Sequence, residues 1–477
     1  MPSSDEQFDV LVVGGGPGGS AAAYHLARHG VHVALVEKSS YPREKVCGDG
    51  LTPRAVKALL EMGVDTEAPG FVRVEGLRTY GPRGVLDLPW PALNDWPAYG
   101  LVRTRLDFDE LLAHRAKEAG ATLYENTEAT TPIIDRGWVV GSNVRELLVA
   151  DGNGARVGAG AAAGALSRSR SGAERRAGGG DGAKRPRQST GPEVARDTTT
   201  ATIERRPPKP GIGPTRAIRA KFVLAADGAS SRFAGQAGVK RDLTRPLGIA
   251  ARRYYRWDRA QVPWLEAWLD LWEGEKLLPG YGWIFPIDDE VVNVGAGLLN
   301  TFHGFKDLSA QRVFDVFIRM LPPEWGLNED TAIGPVRSGP LPMGFNRRPL
   351  AQPGVLLIGD AGGLVNPFNG EGISYAMETG QAAAELVYEA LAKGKPGLAQ
   401  AYPTLLRQRY GKYFAMGNVF VKAIGNPRIM SFATRHGLHR EWLMQFALRM
   451  MANLTDGFKG DVHDRILAAL EAVSPTA

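Results

Sequence analysis

The sequence predicts an α/β protein in which a Rossmann-like domain is combined with an antiparallel-sheet domain and a C-terminal helical region. Three observations lead to this prediction. A strand, a glycine turn, a helix and a second strand follow one another between Phe8 and Lys38. Four strand-like runs joined by short turns lie between residues 247 and 299, which is typical of an antiparallel sheet. From Leu398 onward the pattern is mostly helical.

The first strand and the turn after it are typical of dinucleotide-binding proteins. Phe8–Val13 is an apolar run of the kind that a buried parallel strand requires. Gly14, Gly16 and Gly19 then fit G-x-G-x-x-G. In that pattern the first glycine turns the chain, the second lets the backbone approach a pyrophosphate, and the third lets the helix pack on the strand. Pro17 occupies a position where the start of a helix tolerates a missing N–H.

An acidic residue completes this pattern. Ser20–His29 has helical periodicity, and Val31–Val36 is predicted to be the second strand. Glu37 follows about 20 residues after the first glycine, where the fingerprint uses a carboxylate to bind a ribose hydroxyl. Lys38 could meet a ribose 2′-phosphate, but we expect it to face solvent. Because all these features agree, a dinucleotide site is favoured over a turn that binds nothing.

Composition narrows the possible classes of protein. The net charge is +6, but residues 151–210 hold twelve Lys and Arg and six acidic residues, so the rest of the chain is neutral and no nucleic-acid surface is expected. A single cysteine, Cys47, excludes an internal disulfide and favours a reducing compartment. The N-terminal residues do not resemble a signal peptide, and no apolar run approaches the ~18 residues of a membrane span. We therefore expect a cytoplasmic protein.

One long segment differs from the rest of the chain. Gly152–Gly213 is rich in Gly, Ala, Ser, Arg and Pro, which predicts a disordered insertion. The flanking runs, Val139–Val149 and Thr215–Ala226, are predicted to be the strands of a hairpin that carries this insertion at its tip. The basic segment could contact acidic partners or anionic lipid, but a passive insertion is favoured.

The second sheet is predicted to form a substrate domain. Its runs are Leu247–Trp257, Ala267–Trp272, Gly280–Pro286 and Val291–Leu299. Large aromatic residues in this region could shape a pocket or fill a core; they are Trp264, Trp268, Trp272, Tyr281, Trp283 and Phe285. Arg252 and Arg253 could meet an anionic headgroup, although a solvated strand face is favoured. The predicted divisions are 1–70, 100–240 and 340–392 for the dinucleotide domain, 71–99 and 241–339 for the substrate domain, and 393–477 for the helical region.

A second signal for a nucleotide cofactor lies between Val355 and Ile373. A buried strand leads to Asp360, whose carboxylate could accept a hydrogen bond from a ribose or ribityl hydroxyl. Gly370 and Gly372 then open a helix, and the free N–H groups at Gly372–Ile373 suit a site where negative charge develops. Alternatively, Asp360 caps a helix.

Together these motifs resemble flavoproteins of the p-hydroxybenzoate-hydroxylase-type fold. Within it, three stretches resemble the geranylgeranyl reductase family: Pro42–Val56 (PREKVCGDGLTPRAV), Leu278–Pro286 (LPGYGWIFP) and Asn366–Gly380 (NPFNGEGISYAMETG). The likeness covers nearly the whole chain except the insertion. It implies an FAD-dependent oxidoreductase that reduces an isoprene double bond of a polyprenyl lipid, with the side chain of menaquinone as the preferred substrate. A geranylgeranyl diphosphate or geranylgeranyl-lipid reductase, a flavin-dependent monooxygenase and a prenyl-lipid carrier are the alternatives.

The resemblance also implies roles for individual residues. Those expected to bind FAD are Gly14, Gly16, Pro17, Gly19, Glu37, Lys38, Cys47, Gly48, Asp49, Gly50, Arg105, Asp227, Asp360, Gly370, Gly372 and Ile373. Those expected to act at the substrate are Cys47, Tyr281 and Trp283, and no metal site is expected. A lone cysteine is often a small buried apolar residue. An unperturbed thiol has a pKa of about 8.5, however, so Cys47 could also donate a proton at neutral pH.

The implied partners are an isoprenoid lipid, an unidentified electron donor and the membrane surface. A substrate dissolved in the bilayer implies peripheral contact at the inner face of the cell membrane. The run Glu441–Leu454 is amphipathic and could make that contact. A helix that packs on the core would show the same pattern.

Overall fold

The N-terminal strand lies inside a mostly parallel sheet. In the computed structural model, β1 (Glu6–Val13) pairs in parallel with β2 (Val33–Val36) and with β11 (Gly211–Ala225). The sheet follows the order β21-β22-β11-β1-β2-β8, and β10 pairs with both β11 and β9. The remaining strands of this sheet are β8 (Thr122–Tyr124), β9 (Thr127–Asp135), β10 (Trp138–Leu148), β21 (Ala351–Gln352) and β22 (Val355–Leu357).

The structure describes residues 6–81, 84–148, 211–278, 280–301, 305, 308–437 and 439–476. Residues 1–148 and 212–477 belong to one unit. The predicted disordered insertion lies outside the described residues as far as residue 210. Gly211–Gly213 were assigned to that insertion, but they are the first residues of β11.

Helices cover the parallel sheet and explain why the second half of β1 is buried. Val10, Leu11 and Val12 are all inaccessible to solvent, as expected for a strand with both faces covered. The helix α1 (Pro17–Arg28) packs against a long late helix, α6 (Ile373–Ala392). A Cβ built on Gly380 would overlap the backbone of α1, so the two helices approach closely.

The second sheet is mainly antiparallel, as predicted, and has the order β19-β13-β18-β17-β14-β5-β6. Only the β14–β5 pair is parallel. The strands are β5 (Gly76–Gly81), β6 (Gly84–Pro89), β13 (Leu247–Arg256), β14 (Trp264–Trp268), β17 (Gly280–Pro286), β18 (Val291–Leu299) and β19 (Ala332–Pro342). Smaller sheets join β3 (Gly50–Leu51), β4 (Val72–Val74) and β7 (Gly100–Val102), β12 (Lys240–Arg241) and β20 (Arg347–Arg348), and β15 (Leu271–Glu273) and β16 (Lys276–Leu278).

The C-terminal region is helical, as predicted. The other helices are α2 (Pro53–Glu61), α3 (Arg105–Glu118), α4 (Arg232–Gln236), α5 (Ala310–Met320), α7 (Tyr402–Ile424), α8 (Pro427–Gly437), α9 (Glu441–Ala452) and α10 (Val462–Val473). Among the described residues, no helix is both long and apolar enough to cross a bilayer.

Strand alternation decides which aromatic residues of this sheet fill the core and which line the cavity. Trp268 lies in the core between the antiparallel sheet and α5, where its ring stacks on Tyr80 at 4.1 Å between centroids. The neighbours Leu265 and Ala267 face the cavity instead, because successive side chains of a strand point to opposite faces. Trp264, Trp268 and Trp272 therefore do not belong to the cavity wall.

Candidate active site

A cavity of about 1020 Å³ joins the glycine turn to the C-terminal helices. We call its part at Gly14–Glu37 the dinucleotide end. The part beside Tyr281 and the helices α7–α9 is the tunnel end. Every residue expected to bind FAD or substrate lines this cavity except Gly19. The sequence therefore selected residues that the fold brings together.

Gly14 and Gly19 shape the turn at the dinucleotide end. A Cβ built on Gly19 would overlap the carbonyl oxygen of Gly14, so the start of α1 packs directly on the turn. Gly14 has a φ of +101°, which favours glycine. A Cβ on Gly16 would instead meet only the ends of side chains, 3.6 Å from a guanidinium nitrogen of Arg43, 3.8 Å from one of Arg105 and 4.0 Å from the carboxylate of Asp109. Gly16 lines the cavity, so a ligand can approach its backbone beside these two cations.

Glu37 is fixed beside this turn. Its carboxylate accepts hydrogen bonds from the N–H groups of Gly15 at 2.9 Å and Ser39 at 3.1 Å. Arg43 lies 3.2 Å from the same carboxylate. Lys38 lines the cavity but its side chain is exposed, as expected. This arrangement holds an acceptor at the position that the fingerprint assigns to a ribose hydroxyl.

A buried charge cluster lies next to the glycine turn. Arg105 donates two hydrogen bonds to Asp109, at 2.6 and 2.7 Å, and Arg43 lies 2.9 Å from the same carboxylate. Burial would lower the pKa of Arg105, but Asp109 reverses this and raises it. Arg43 and Asp109 were not singled out from the sequence. The i, i+4 spacing of Arg105 and Asp109 could have indicated their pairing.

The loop that carries Cys47 is anchored by Asp49. Its carboxylate accepts hydrogen bonds from Tyr254 Oη at 2.6 Å, Asn293 Nδ2 at 2.8 Å and the N–H of Arg105 at 3.1 Å. The residue is buried, and desolvation raises the pKa of its carboxyl group, which Arg252 opposes. The carboxylate thus points into the protein, and Asp49 orients the loop through its side chain.

Asn293 connects this loop to the tunnel wall. Its Nδ2 also donates to the carbonyl oxygen of Cys47 at 2.9 Å, and its Oδ1 accepts from Trp283 Nε1 at 3.1 Å. Trp283 is buried against Gly295, where a Cβ would overlap the indole ring. Tyr254 and Asn293 were missed from the sequence because both come from strands whose register only the fold reveals.

Cys47 and Tyr281 lie near each other where the loop meets the wall. Burial raises the pKa of the Cys47 thiol, which Arg105 opposes. Burial, with a smaller effect of Cys47, raises the pKa of Tyr281 to about 12. Tyr281 Oη donates to the carbonyl oxygen of Asn369 at 2.9 Å. At neutral pH both groups carry protons.

Two predicted acidic residues differ in how their carboxylates are used. Asp227 accepts hydrogen bonds from Ser231 Oγ at 2.6 Å and the N–H of Phe233 at 3.1 Å, so it fixes the start of α4. Asp360 faces the cavity, and no donor among the described residues hydrogen-bonds its carboxylate. Burial raises the pKa of Asp360, and Lys45 opposes this. Asp360 is therefore available to a ligand hydroxyl.

Arg252 corrects another expectation. It was expected on a solvated strand face, but its side chain is buried, lines the cavity and pairs with Glu44. It also donates to the carbonyl oxygen of Lys45 at 3.3 Å. The reason is that the loop containing Glu44 packs over this side chain on the face of β13. Arg253 pairs with Glu329 at 2.7 Å on the other face.

These features fit FAD. Gly16 offers an open backbone cradle beside two guanidinium groups, which suits a pyrophosphate. Glu37 and Asp360 supply carboxylate acceptors at separate positions along the cavity. Gly372 and Ile373 line the cavity at the start of α6, where the N–H groups of the first turn have no partners within the helix.

Known proteins share this architecture. A family model described as an FAD binding domain matches residues 7–171. The chain is 31% identical over 453 residues to a menaquinone reductase of Mycobacterium tuberculosis, covering 95% of this chain and 92% of that protein. It is 28% identical over 411 residues to a digeranylgeranylglycerophospholipid reductase of Thermoplasma acidophilum, covering 85% and 84%. A solved geranylgeranyl bacteriochlorophyll reductase-like protein of the latter organism has a TM-score of 0.67 at 24% identity, covering 98% of this chain and 100% of that chain.

The fold and the site therefore define a flavoprotein of the p-hydroxybenzoate-hydroxylase type whose cofactor is FAD. Identity of 31% over nearly the full length of a relative goes further. The chain belongs to the geranylgeranyl reductase family of FAD-dependent oxidoreductases. The fold class, the family, the cofactor and the class of enzyme expected from the sequence are confirmed.

Proposed function

We propose that this protein reduces one isoprene double bond of a polyprenyl lipid, and that its substrate is menaquinone. The observation that supports this is the continuity of the cavity: one space connects the dinucleotide end to an apolar tunnel end. The names of the relatives agree with such a lipid. Most tunnel-end residues contributed by the helices are apolar, with Thr434 an exception; the large apolar ones are Phe420, Ile424, Met430, Met444, Leu448 and Met451.

The chain's own residues divide the work along the cavity. Gly16, Arg43 and Arg105 hold the pyrophosphate of FAD, Glu37 its adenosine ribose and Asp360 its ribityl chain. When bound and reduced, FAD supplies a hydride. Tyr281, Trp283 and the apolar helix residues position one isoprene unit and exclude bulk water, since an isolated alkene must be held in place to react.

Cys47 is the proposed proton donor. Reduction of an alkene needs a proton as well as a hydride, because an isolated alkene accepts hydride poorly. Burial keeps the thiol protonated at neutral pH, and the loop that Asp49 and Asn293 anchor presents it to the cavity. Tyr281 and Trp283 form the wall beside it.

The place of action follows from the substrate. We propose that the protein works at the inner face of the cell membrane, in peripheral contact with the lipid that holds its substrate. A geranylgeranyl phospholipid is the second candidate substrate, favoured by the similarity to the Thermoplasma reductase.

The test uses the FAD-loaded enzyme, reduced chemically without air. Menaquinone with an unsaturated side chain and a geranylgeranyl phospholipid are offered separately, and the products are analysed by mass spectrometry. We expect menaquinone to gain two hydrogen atoms in its side chain. A product only from the phospholipid would assign the second substrate. A parallel incubation is made in air, where gain of an oxygen atom by the substrate would contradict reduction and indicate a monooxygenase.

A further inference from the structure

The helix α8 has two different apolar sides. Met430 and Thr434 line the cavity, whereas Ile429 and Phe432 are 47% and 68% exposed. Since successive residues advance by about 100° around a helix, Phe432 lies about 160° from Met430 and from Thr434 and faces away from the cavity. Ile429 lies about 40° from Ala433, which is exposed and also lines the cavity. The exposed apolar strip therefore meets the tunnel end at Ala433.

The next side of the same helix is basic. Arg428 and Arg435 are exposed and follow Phe432 around the helix. Residues 411–455 contain six Lys and Arg but one acidic residue, Glu441. Among the described acidic side chains, none forms an ion pair with Arg428 or Arg435. The apolar strip is thus flanked by positive charge that the protein itself leaves uncompensated.

The cavity opens at this place. Ala433 in α8 and Leu443 in α9 both line the cavity and are exposed. Trp442, next to Leu443, is 54% exposed. Tryptophan is enriched where proteins meet the interface of a membrane. The opening, the apolar strip and the basic residues are therefore neighbours.

We propose that α8 and the first turn of α9 dock on an anionic lipid bilayer, and that the isoprenoid chain enters the cavity between Ala433 and Leu443. A bilayer matches both features, because Ile429 and Phe432 can insert among acyl chains while the arginines meet lipid phosphates. The entry route rests on the function proposed above, whereas the docking does not. The proposed docking assigns the membrane contact mainly to α8 rather than to the Glu441–Leu454 run expected from the sequence.

Vesicle sedimentation of the FAD-loaded protein tests the docking. We expect it to bind vesicles of phosphatidylglycerol mixed with phosphatidylcholine, and to bind pure phosphatidylcholine much less. Arg428→Gln with Arg435→Gln should weaken binding about thirtyfold, at the usual contribution per basic residue near an anionic surface. Ile429→Ser with Phe432→Ser should weaken it at least about tenfold.

Matched controls lie on other surfaces. Leu243 and Ile134 are 83% and 60% exposed, and Lys117 and Arg319 are exposed cations. The variants Leu243→Ser with Ile134→Ser, and Lys117→Gln with Arg319→Gln, should bind mixed vesicles like the wild type. Equal loss in these controls, or unchanged binding of both α8 variants, would overturn the docking.

Two further readouts separate the alternatives. Light scattering reports whether a second copy of the chain covers this face. A dimer that Phe432→Ser abolishes would overturn docking on lipid.

The α8 variants should reduce menaquinone in detergent micelles at the wild-type rate but act slowly on menaquinone in mixed vesicles. Wild-type protein that binds the vesicles yet reduces menaquinone in neither medium would contradict the proposed function and leave the docking supported.

Discussion

The two ends of the cavity are built in different ways. The dinucleotide end comes largely from one strand–helix–strand unit, in which backbone groups and Glu37 face the ligand. The tunnel end collects side chains from the Cys47 loop, the antiparallel sheet and helices near the C-terminus, which lie far apart in the sequence. The first end is thus a local motif, and the second exists only after the whole chain has folded.

The two ends also differ in their electrostatics. Charges are buried and paired at the dinucleotide end, where Arg43 and Arg105 share Asp109. At the tunnel end most lining side chains are apolar, and polar contacts such as that between Trp283 and Asn293 lie among them, with the Asp49 carboxylate buried behind the Cys47 loop. We infer that the dinucleotide end is intolerant of substitution, whereas the tunnel end can change substrate by exchange of apolar residues.

The largest expected effect is at the dinucleotide end. Gly19→Ala places a Cβ onto the Gly14 carbonyl, so α1 must move away from the turn. We expect the purified protein to lose nearly all bound FAD, and its unfolding free energy to fall by about 3 kcal/mol. The flavin absorbance per protein and urea unfolding measure this. Gly235→Ala is the control, since a Cβ there meets open space; equal FAD content in both variants would contradict the role of Gly19.

The second largest effect is expected at the tunnel end, where a substitution should slow the reaction with substrate. Cys47→Ala should retain FAD but slow the reoxidation of reduced enzyme by substrate at least about 100-fold in a single turnover, which is the usual contribution of a general acid. In the wild type the rate should fall as the pH rises through the pKa of the thiol, which burial shifts upward. That alkaline limb should vanish in the variant. An unchanged rate would remove Cys47 as the proton donor.

The same contrast explains what the sequence could predict. Gly14, Gly16 and Glu37 are positioned by near neighbours, so a spacing rule finds them. For Trp268 the sequence left the cavity wall and the core both open, because the face of a strand depends on its partners, and in the structure Trp268 packs on Phe317 of α5. Asn293 could not be found, because its three hydrogen-bond partners come from the Cys47 loop and from β17.

Asn293 allows a test of how the tunnel end is held together. Asn293→Leu leaves the Trp283 N–H without a buried partner, which costs about 1–3 kcal/mol, and removes one of the three hydrogen bonds to the Asp49 carboxylate as well as the one to the Cys47 carbonyl. We expect kcat to fall about tenfold while FAD content stays near that of the wild type. Trp283→Phe removes a single hydrogen bond and should reduce kcat less. A loss of FAD as large as that of Gly19→Ala would show that the two ends are not independent.

The smallest expected effect is a loss of stability in acid, and it concerns α1, the helix that starts at the dinucleotide end. Burial, with a smaller effect of His29, lowers the pKa of His25 in α1 to about 4. The unfolded chain binds this proton from about pH 6.5 downward and the folded chain does not, so stability falls between pH 6.5 and about 4. We expect a loss of about 2 kcal/mol, less than the full shift because the ring is part-exposed. Urea unfolding at several pH values measures it. His25→Asn should flatten this dependence of stability on pH, whereas His436→Asn, on the exposed α8, should not. Acid therefore lowers stability through α1, the helix that starts at the glycine turn, whereas alkali lowers the reaction rate through the thiol at the tunnel end.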